Sequence, residues 1–336
     1  MHKLTLEKFN FQKMKNIAIL TSGGDSPGMN AAIRSIVRAG IYHNRRVFGI
    51  YRGYDGLIDN EIKELTSVDV SNIIQRGGTI LKSARSERFM HPEFRKIAFE
   101  NLQKNDIDGL VVLGGDGTFK GASIISSEFD LKIVGIPCTI DNDLFGTDFC
   151  IGYDTAINTA MEAIDKIRDT ADSHNRLFFV EVMGRDAGLI ALRSGIAGGA
   201  EGILIPETVT DIDALVTTLN KDWKRTKSSM IVVVAEGDEA GGAYEISKQV
   251  KEKCPQFDMR VATLGHIQRG GSPSCMDRVL ASRLGLAAVE ALVNKESNLM
   301  IGIVNQLISK TSFEKATKHH QEINAELLHV LDVLAS

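Results

Sequence analysis

Cysteine, proline and aromatic residues are all scarce in this 336-residue chain, which has four Cys, six Pro, one Trp and 6% aromatics overall. Cys138, Cys150, Cys254 and Cys275 show no C-x-x-C spacing and no dense disulfide framework, which points to a reduced, cytoplasmic interior. No Pro-rich linker, repeat or low-complexity tract divides the chain. No apolar run approaches the roughly 20 residues that a membrane-spanning helix needs. The opening MHKLTLEKFNFQKMK scatters Lys and Glu where a secretory signal has a continuous apolar region, so residues 1–15 are read as a loose extension, with Met14 an alternative start. A net charge of −4 and a pI near 6.1 give neither a nucleic-acid footprint nor a basic surface for membranes. Any anion this protein binds must be held by local groups.

What is present is an ordinary globular composition, 43% hydrophobic and 24% charged, in a chain long enough for a large core and two lobes. Short β-rich runs recur at 16–20, 46–51, 109–115, 132–138, 176–184, 202–207, 229–237 and 300–305, with helical stretches expected at 28–43, 93–105, 154–172, 211–225, 243–253 and 276–294. That alternation predicts parallel sheets with crossover helices, and the continuous apolar character of the runs predicts strands covered on both faces. The fold class is therefore α/β. In the third helix Ile157, Ala160, Met161, Ile164 and Ile167 form one stripe, read as core. A boundary between lobes is expected near 150, and residues 306–336 give weak signals.

Several apolar runs finish in glycines: ILTSGGDSPGMN (19–30), VVLGGDGTFKG (111–121) and FVEVMGRDAG (179–188). Ligands of open α/β sheets sit outside the carboxyl ends of strands. Glycine lets backbone N–H groups approach an anion there, and a following helix N-terminus adds a favourable dipole. Thr21 and Thr118 are candidate hydroxyl donors. Glycine also ends strands for purely conformational reasons, and Asp25 or Asp116 in these loops is either a turn residue or a carboxylate near a Mg²⁺ that bridges nucleotide oxygens. Neither loop fits the G-x-x-x-x-G-K-[ST] or G-x-G-x-x-G fingerprints. A further segment, GIPCTIDNDLFGTD (135–148), places Asp141, Asp143 and Asp148 just beyond an apolar run, where the charge is either catalytic or merely solvated.

LTSGGDSPGMNAAIR, QRGGTILKSAR, GGDGTFKGA, PCTIDND, GTDFCIGYDTA, VEVMGRDAG and LGHIQRGGSPS stand in the order found in 6-phosphofructokinases, and over residues 16 to 305 the sequence resembles the bacterial ATP-dependent type. The resemblance implies two Rossmann-like three-layer αβα lobes with mostly parallel sheets and an active site in the cleft between them. The expected ATP lobe is 16–150 plus about 268–318; the expected sugar-phosphate lobe is 151–267 plus about 319–336.

By the same resemblance, Gly24, Arg85, Ser86, Gly115, Asp116, Gly117 and Thr118 hold ATP, and Asp116 positions Mg²⁺. Asp141 is the general base for the sugar 1-hydroxyl with Thr139 and Ile140 beside it, Asp143 supports the metal and its waters, and Asp148 is structural. Fructose 6-phosphate falls to Arg176, Met183, Gly184, Arg185, Glu236, Arg260, His266, Ile267, Gln268 and Arg269. Arg is suited to this role because its planar fork donates two bonds to phosphate oxygens. Arg85 and Arg185 stabilise charge on the transferring group. Family members use the arginines matching Arg176 and Arg260 across subunits, which implies a homotetramer. No nucleic-acid or membrane partner is expected.

Three departures stand out. Pyrophosphate-using relatives carry Asp in place of Gly117 and Lys before TIDND; Gly117 and the neutral Cys138 favour ATP, with the Cys138 side chain expected to crowd the γ-phosphate. Lys82 stands where relatives often have Gly, as a cation near the nucleotide or an exposed loop lysine. Of the effector site for ADP or phosphoenolpyruvate, Arg34, Arg38, Arg168, Gly199, Glu201, Arg225 and Lys227 match, whereas Ser67 and Ser229 replace cationic or imidazole groups. Each charge-assisted bond lost there weakens effector binding by about 1.5–3 kcal/mol. The rival functions are a pyrophosphate-dependent kinase and a catalytically silent sugar-phosphate sensor subunit.

Overall fold

A computed structural model describes residues 14–224, 229–318 and 323–334; the proposed extension before Met14, Arg225 and Lys227 lie outside the described residues. The elements run β1 (Asn16–Thr21), α1 (Met29–Tyr42), β2 (Arg46–Ile50), α2 (Gly53–Ile58), β3 (Ile62–Leu65), α3 (Pro92–Lys104), β4 (Gly109–Gly114), α4 (Asp116–Phe129) and β5 (Lys132–Pro137). There follow α5 (Tyr153–Asp172), β6 (Arg176–Val182), α6 (Leu189–Ala197), β7 (Gly202–Leu204), α7 (Ile212–Lys224), β8 (Met230–Ala235), α8 (Ala243–Lys253) and β9 (Asp258–Thr263). The chain closes with α9 (Cys275–Val293), β10 (Leu299–Val304), β11 (Leu307–Ser312), α10 (Phe313–Lys318) and α11 (Ala325–Leu334).

Two sheets result, ordered β11-β10-β5-β4-β1-β2-β3 and β7-β8-β6-β9, parallel throughout except for the β10–β11 and β2–β3 pairs. Alternation along each central strand explains the three layers. In β1, Ile17 and Ile19 pack with Ile33, Val37, Leu284 and Val289 of α1 and α9, whereas Ala18 and Leu20 face the cluster of Leu57, Leu102 and Phe119 on the other side. The second sheet does the same: Val180 and Val182 meet Ala160, Ile164 and Ile190, and Phe179 meets Leu219, Ile246 and Val250. Strands covered on both faces read as continuous apolar runs, which is why they were visible in the sequence.

Three of the four edge strands were not. β3, β9 and β11 are largely exposed or half-buried, and none carries an apolar run.

Where the sheets meet, α5 and α9 cap one another. Asp277, 1% exposed, accepts from the Gly152 and Thr155 amides at 2.8 Å each and from the Thr155 hydroxyl. Ser274 Oγ accepts from Asp277 N and donates to Asp154. These bonds occupy N–H groups that a helix start leaves without intrahelical partners. Desolvation still raises the Asp277 carboxyl to about 6.

Ser26, fully buried beside Gly152, leaves its hydroxyl without a hydrogen-bond partner among the described residues. An orphaned hydroxyl costs free energy that a methyl of similar shape does not. Ser26→Ala is therefore expected to stabilise the protein by about 1 kcal/mol, seen as a higher urea midpoint at unchanged slope; a lower midpoint would count against the orphaned state.

Candidate active site

In the first sheet β1 runs on to β2 at one side, and β4 then returns to pair with β1 on the other. The loops after β1 and β4 diverge at this switch point, where open α/β sheets form their crevice. The β4 loop opens directly into α4, so the helix's first amides face the crevice. Asp116, at its start, bonds Lys120 through Oδ2 at 2.7 Å while its buried Oδ1 has no hydrogen-bond partner among the described residues. A Cβ on Gly117 would meet nothing within 4 Å, so the space above it is open. Arg85 is exposed, and Ser86 Oγ donates to Asp55.

The expected threonine donors are turned inward. Thr118 Oγ1 donates to the Ser22 carbonyl and Thr21 Oγ1 to the Lys82 carbonyl, stitching neighbouring loops together. With the hydroxyl hydrogens engaged there, the backbone of the loop is what remains for an anion.

After β5 the chain forms a closed loop, with Ile151 N donating to Pro137 O at 2.9 Å. Thr139 is half-buried, packed near Gly115, and its Oγ1 accepts from Asp141 N at 3.2 Å. Asp141 is 8% exposed, and its Oδ1 has no hydrogen-bond partner among the described residues. Burial, then the charge of Asp143, pushes the Asp141 carboxyl up from 3.8 to about 6; Glu236 pushes the same way, and Arg269 and Arg185 pull it down. Asp148 is tied to β10, accepting from Asn305 N at 2.7 Å.

One expectation for this loop is corrected and another is narrowed. The Cys138 side chain, 1% exposed, belongs to the core with Ile136, Ile151 and Leu280, so it does not project toward a phosphate, and burial raises its thiol well above the usual range. Ile140 is fully buried in the core of the second sheet and can offer a ligand only its backbone.

The second sheet has its own switch point between β6 and β8, and the expected sugar-phosphate residues gather there. Glu236 Oε1 accepts from the Gly184 and Arg185 amides at 3.3 and 2.8 Å, holding Arg185 in a left-handed turn with φ +55. A Cβ on Gly237 would lie 2.0 Å from the Arg185 carbonyl, so this close approach requires glycine. The Arg185 side chain projects outward, 67% exposed. Met183 lies buried beside it.

In the turn Gly265–Arg269, His266 and Ile267 are exposed, whereas Gln268 is fully buried with Nε2 donating to Gly265 O. Arg269 crosses to the first sheet, where its Nη1 donates to the Asp25 carbonyl at 3.2 Å and lies against Gly24. Thus Gly24, the Gly115–Gly117 loop, Thr139, Asp141, Arg185, Glu236 and Arg269 converge from both sheets. Arg176 and Arg260 do not: both bond Asp258 at the opposite end of the second sheet.

Comparison with known proteins places the whole chain. The Phosphofructokinase family model matches residues 16–292. The chain belongs to the phosphofructokinase family. An ATP-dependent 6-phosphofructokinase 2 of Bacteroides thetaiotaomicron is 54% identical over 322 residues, covering 96% of this chain and 99% of that one. An ATP-dependent 6-phosphofructokinase of Cytophaga hutchinsonii is 56% identical over 321 residues, covering 96% and 98%. The solved phosphofructokinase of Saccharomyces cerevisiae superposes with a TM-score of 0.86 at 37% identity, over 90% of this chain and 45% of that longer one.

Against this phosphofructokinase frame the departures take a physical form. Lys82 sits at φ +57, a left-handed backbone that glycine adopts freely, and its side chain lines a recess of about 420 Å³ with Tyr51, Arg52, Asn60, Glu61, Ile62 and Lys63. Of the residues expected at an effector site, Arg168 donates to the Gly198 and Gly199 carbonyls and lies 3.8 Å from Glu201, which in turn accepts from Ile231 N. Arg34 and Arg38 sit elsewhere, on α1. Ser67 caps a turn through its carbonyl, accepting from Ser71.

Asn142 escaped the sequence reading. Its signal was an asparagine between two acidic residues in a loop after a buried strand, a residue type that tolerates left-handed backbone.

Proposed function

We propose that this chain is a kinase that transfers the γ-phosphoryl group of ATP to the 1-hydroxyl of fructose 6-phosphate, giving fructose 1,6-bisphosphate and ADP, the committed step of glycolysis. The observation that carries it is Asp141: a buried carboxylate with one unpartnered oxygen, raised to about 6, between an open glycine-lined helix start and two arginines. A base near neutral pKa, within reach of both a phosphate cradle and cations, suits proton removal from an attacking alcohol. The names of the relatives from Bacteroides and Cytophaga support ATP as donor.

In this reading the α4 amides and Arg85 bind the triphosphate. Arg185 faces the charge that develops during transfer, Arg269 and His266 hold the sugar phosphate, and Glu236 Oε2 accepts from a sugar hydroxyl. No group of three His, Cys, Asp or Glu side chains able to hold a metal occurs among the described residues. Mg²⁺ in nucleotide sites is bound by one or two carboxylates plus phosphate oxygens, and the unpartnered Asp116 Oδ1 fits that pattern. Asp116 would hold the ion, with Asp143 supporting its waters as the resemblance implies, and its chemistry would be to neutralise charge on the phosphates.

The seven-residue strand β6 sets Arg176 about 20 Å from the crevice end, at roughly 3.3 Å per residue. Arg176 is thus out of reach of this chain's own crevice, which fits the role the resemblance implies for Arg176 and Arg260, completing a neighbouring copy's site in a homotetramer. No described helix is long and apolar enough to cross a membrane, and we place the enzyme in the cytoplasm. Regulation by ADP or phosphoenolpyruvate would use Arg34, Arg38, Arg168 and Glu201, weakened by Ser67 and Ser229.

The test is a coupled assay with fructose 6-phosphate and either ATP or pyrophosphate. Turnover with ATP is expected; turnover with pyrophosphate alone, or with neither donor, would overturn the proposal.

A further inference from the structure

Asn142, between the two site aspartates, is 2% exposed and left-handed, with φ +54. Asparagine is among the few residues other than glycine that take this conformation routinely. Its side chain also spans the loop. Oδ1 accepts from Cys150 N at 2.6 Å, and Nδ2 donates to Asp148 O at 3.1 Å. The loop's neck is closed by Ile151 N to Pro137 O, and Asp148 is anchored to β10 through Ile303 O and Asn305 N. Asn142, the residue that follows Asp141, is therefore tied to a stretch of the loop, Gly146–Asp148, that is pinned on β10 and β11.

We propose that Asn142 is a positioning residue for proton removal: its left-handed backbone and its two side-chain bonds set the direction in which the neighbouring Asp141 carboxylate points. This rests on Asp141 being the base. Without the cross-loop bonds, residues 140–144 still run between Thr139 and the anchored Phe145–Asp148 stretch but lose a constraint on the direction of residue 141. Errors of about 1 Å in a reacting group cost on the order of 10²-fold in rate.

The experiment compares the parent with Asn142→Gly, Asn142→Asp and Asp141→Asn, all as full-length enzyme with ATP, Mg²⁺ and fructose 6-phosphate. Glycine retains left-handed freedom and deletes both bonds; aspartate retains the bond to Cys150 N. Rates are taken per folded molecule, from the fraction that elutes at the parental size, which separates a folding defect from a lost rate. Asn142→Gly is expected to lose about 10²-fold in kcat, with both KM values within about threefold of the parent. The acid limb of its rate profile is expected to move below 6 as Asp141 becomes more solvated. Asn142→Asp is expected to recover part of kcat. Folded Asn142→Gly with parental kcat and an unmoved acid limb overturns the proposal alone. Parental turnover in Asp141→Asn overturns the assignment of the base, and the proposal with it.

Discussion

Asp141→Asn is expected to lower kcat by about 10²- to 10⁴-fold, the span of general-base catalysis, while leaving the protein more stable than the parent at pH 8. The two effects have one cause. Burial and the charge of Asp143 raise the carboxyl from 3.8 to about 6, so folding holds an ionised group in a place that disfavours it. At 1.36 kcal/mol per tenfold change in proton affinity, the rise corresponds to about 3 kcal/mol.

The sign follows from linkage: a carboxylate with a raised native pKa destabilises the fold fully above about 6, and the penalty fades as pH falls toward 3.8. Asparagine removes the penalty, so its advantage in thermal midpoint should be largest at neutral to alkaline pH and vanish near pH 4. In the parent, kcat/KM for fructose 6-phosphate should fall tenfold per pH unit below about 6, because protonated Asp141 cannot accept the hydroxyl proton. A variant that loses stability at pH 8 together with its rate would mean that the carboxylate is held by partners rather than left free for chemistry. An acid limb near 4 would mean that the site is wetter than its 8% exposure indicates.

Gly117→Asp is expected to raise KM for ATP by at least about 10²-fold, since juxtaposed like charges cost several kcal/mol, with no loss of stability. An added side chain finds no atom within 4 Å there, so nothing has to move. The position is also in the first turn of α4, where an acidic residue interacts favourably with the helix dipole. What the carboxylate opposes is the ligand, because it stands over the amides that would bind phosphates. The resemblance implies Asp at this position in pyrophosphate-using relatives, so the ratio of pyrophosphate to ATP turnover should rise in the variant. Thermal melting and a donor titration check both halves. An unchanged KM for ATP would show that the triphosphate does not lie over α4.

The helix boundaries near 29, 92, 153, 212, 243 and 275 were legible because amphipathic stripes and caps are local. Central strands were legible because they are covered on both faces. The edge strands β3, β9 and β11 were not, because neighbouring strands complete their hydrogen bonds, and α2, α4 and α6, which no expected helix covered, owe their stability to packing against the sheets. In the site, motif chemistry pointed to Asp116, Asp141, Arg185 and Arg269. It also turned the Thr118 hydroxyl and the Cys138 side chain toward the ligand, and these face inward because the one satisfies the Ser22 carbonyl and the other fills the core.

By itself, then, the sequence determined an α/β chain with glycine-rich strand ends, acidic and cationic side chains placed after them, and the family to which that order of motifs belongs. Only the tertiary structure decided which of those groups meet, that Arg176 and Arg260 lie at the far end of their sheet, and that Asn142 braces the loop carrying Asp141. The reason is that a residue's type is local, whereas the burial that tunes the Asp141 carboxylate, the charges of Arg185, Glu236 and Arg269 that act on it, and the loop bonds that orient it exist only when the chain is folded and its two sheets close on one another.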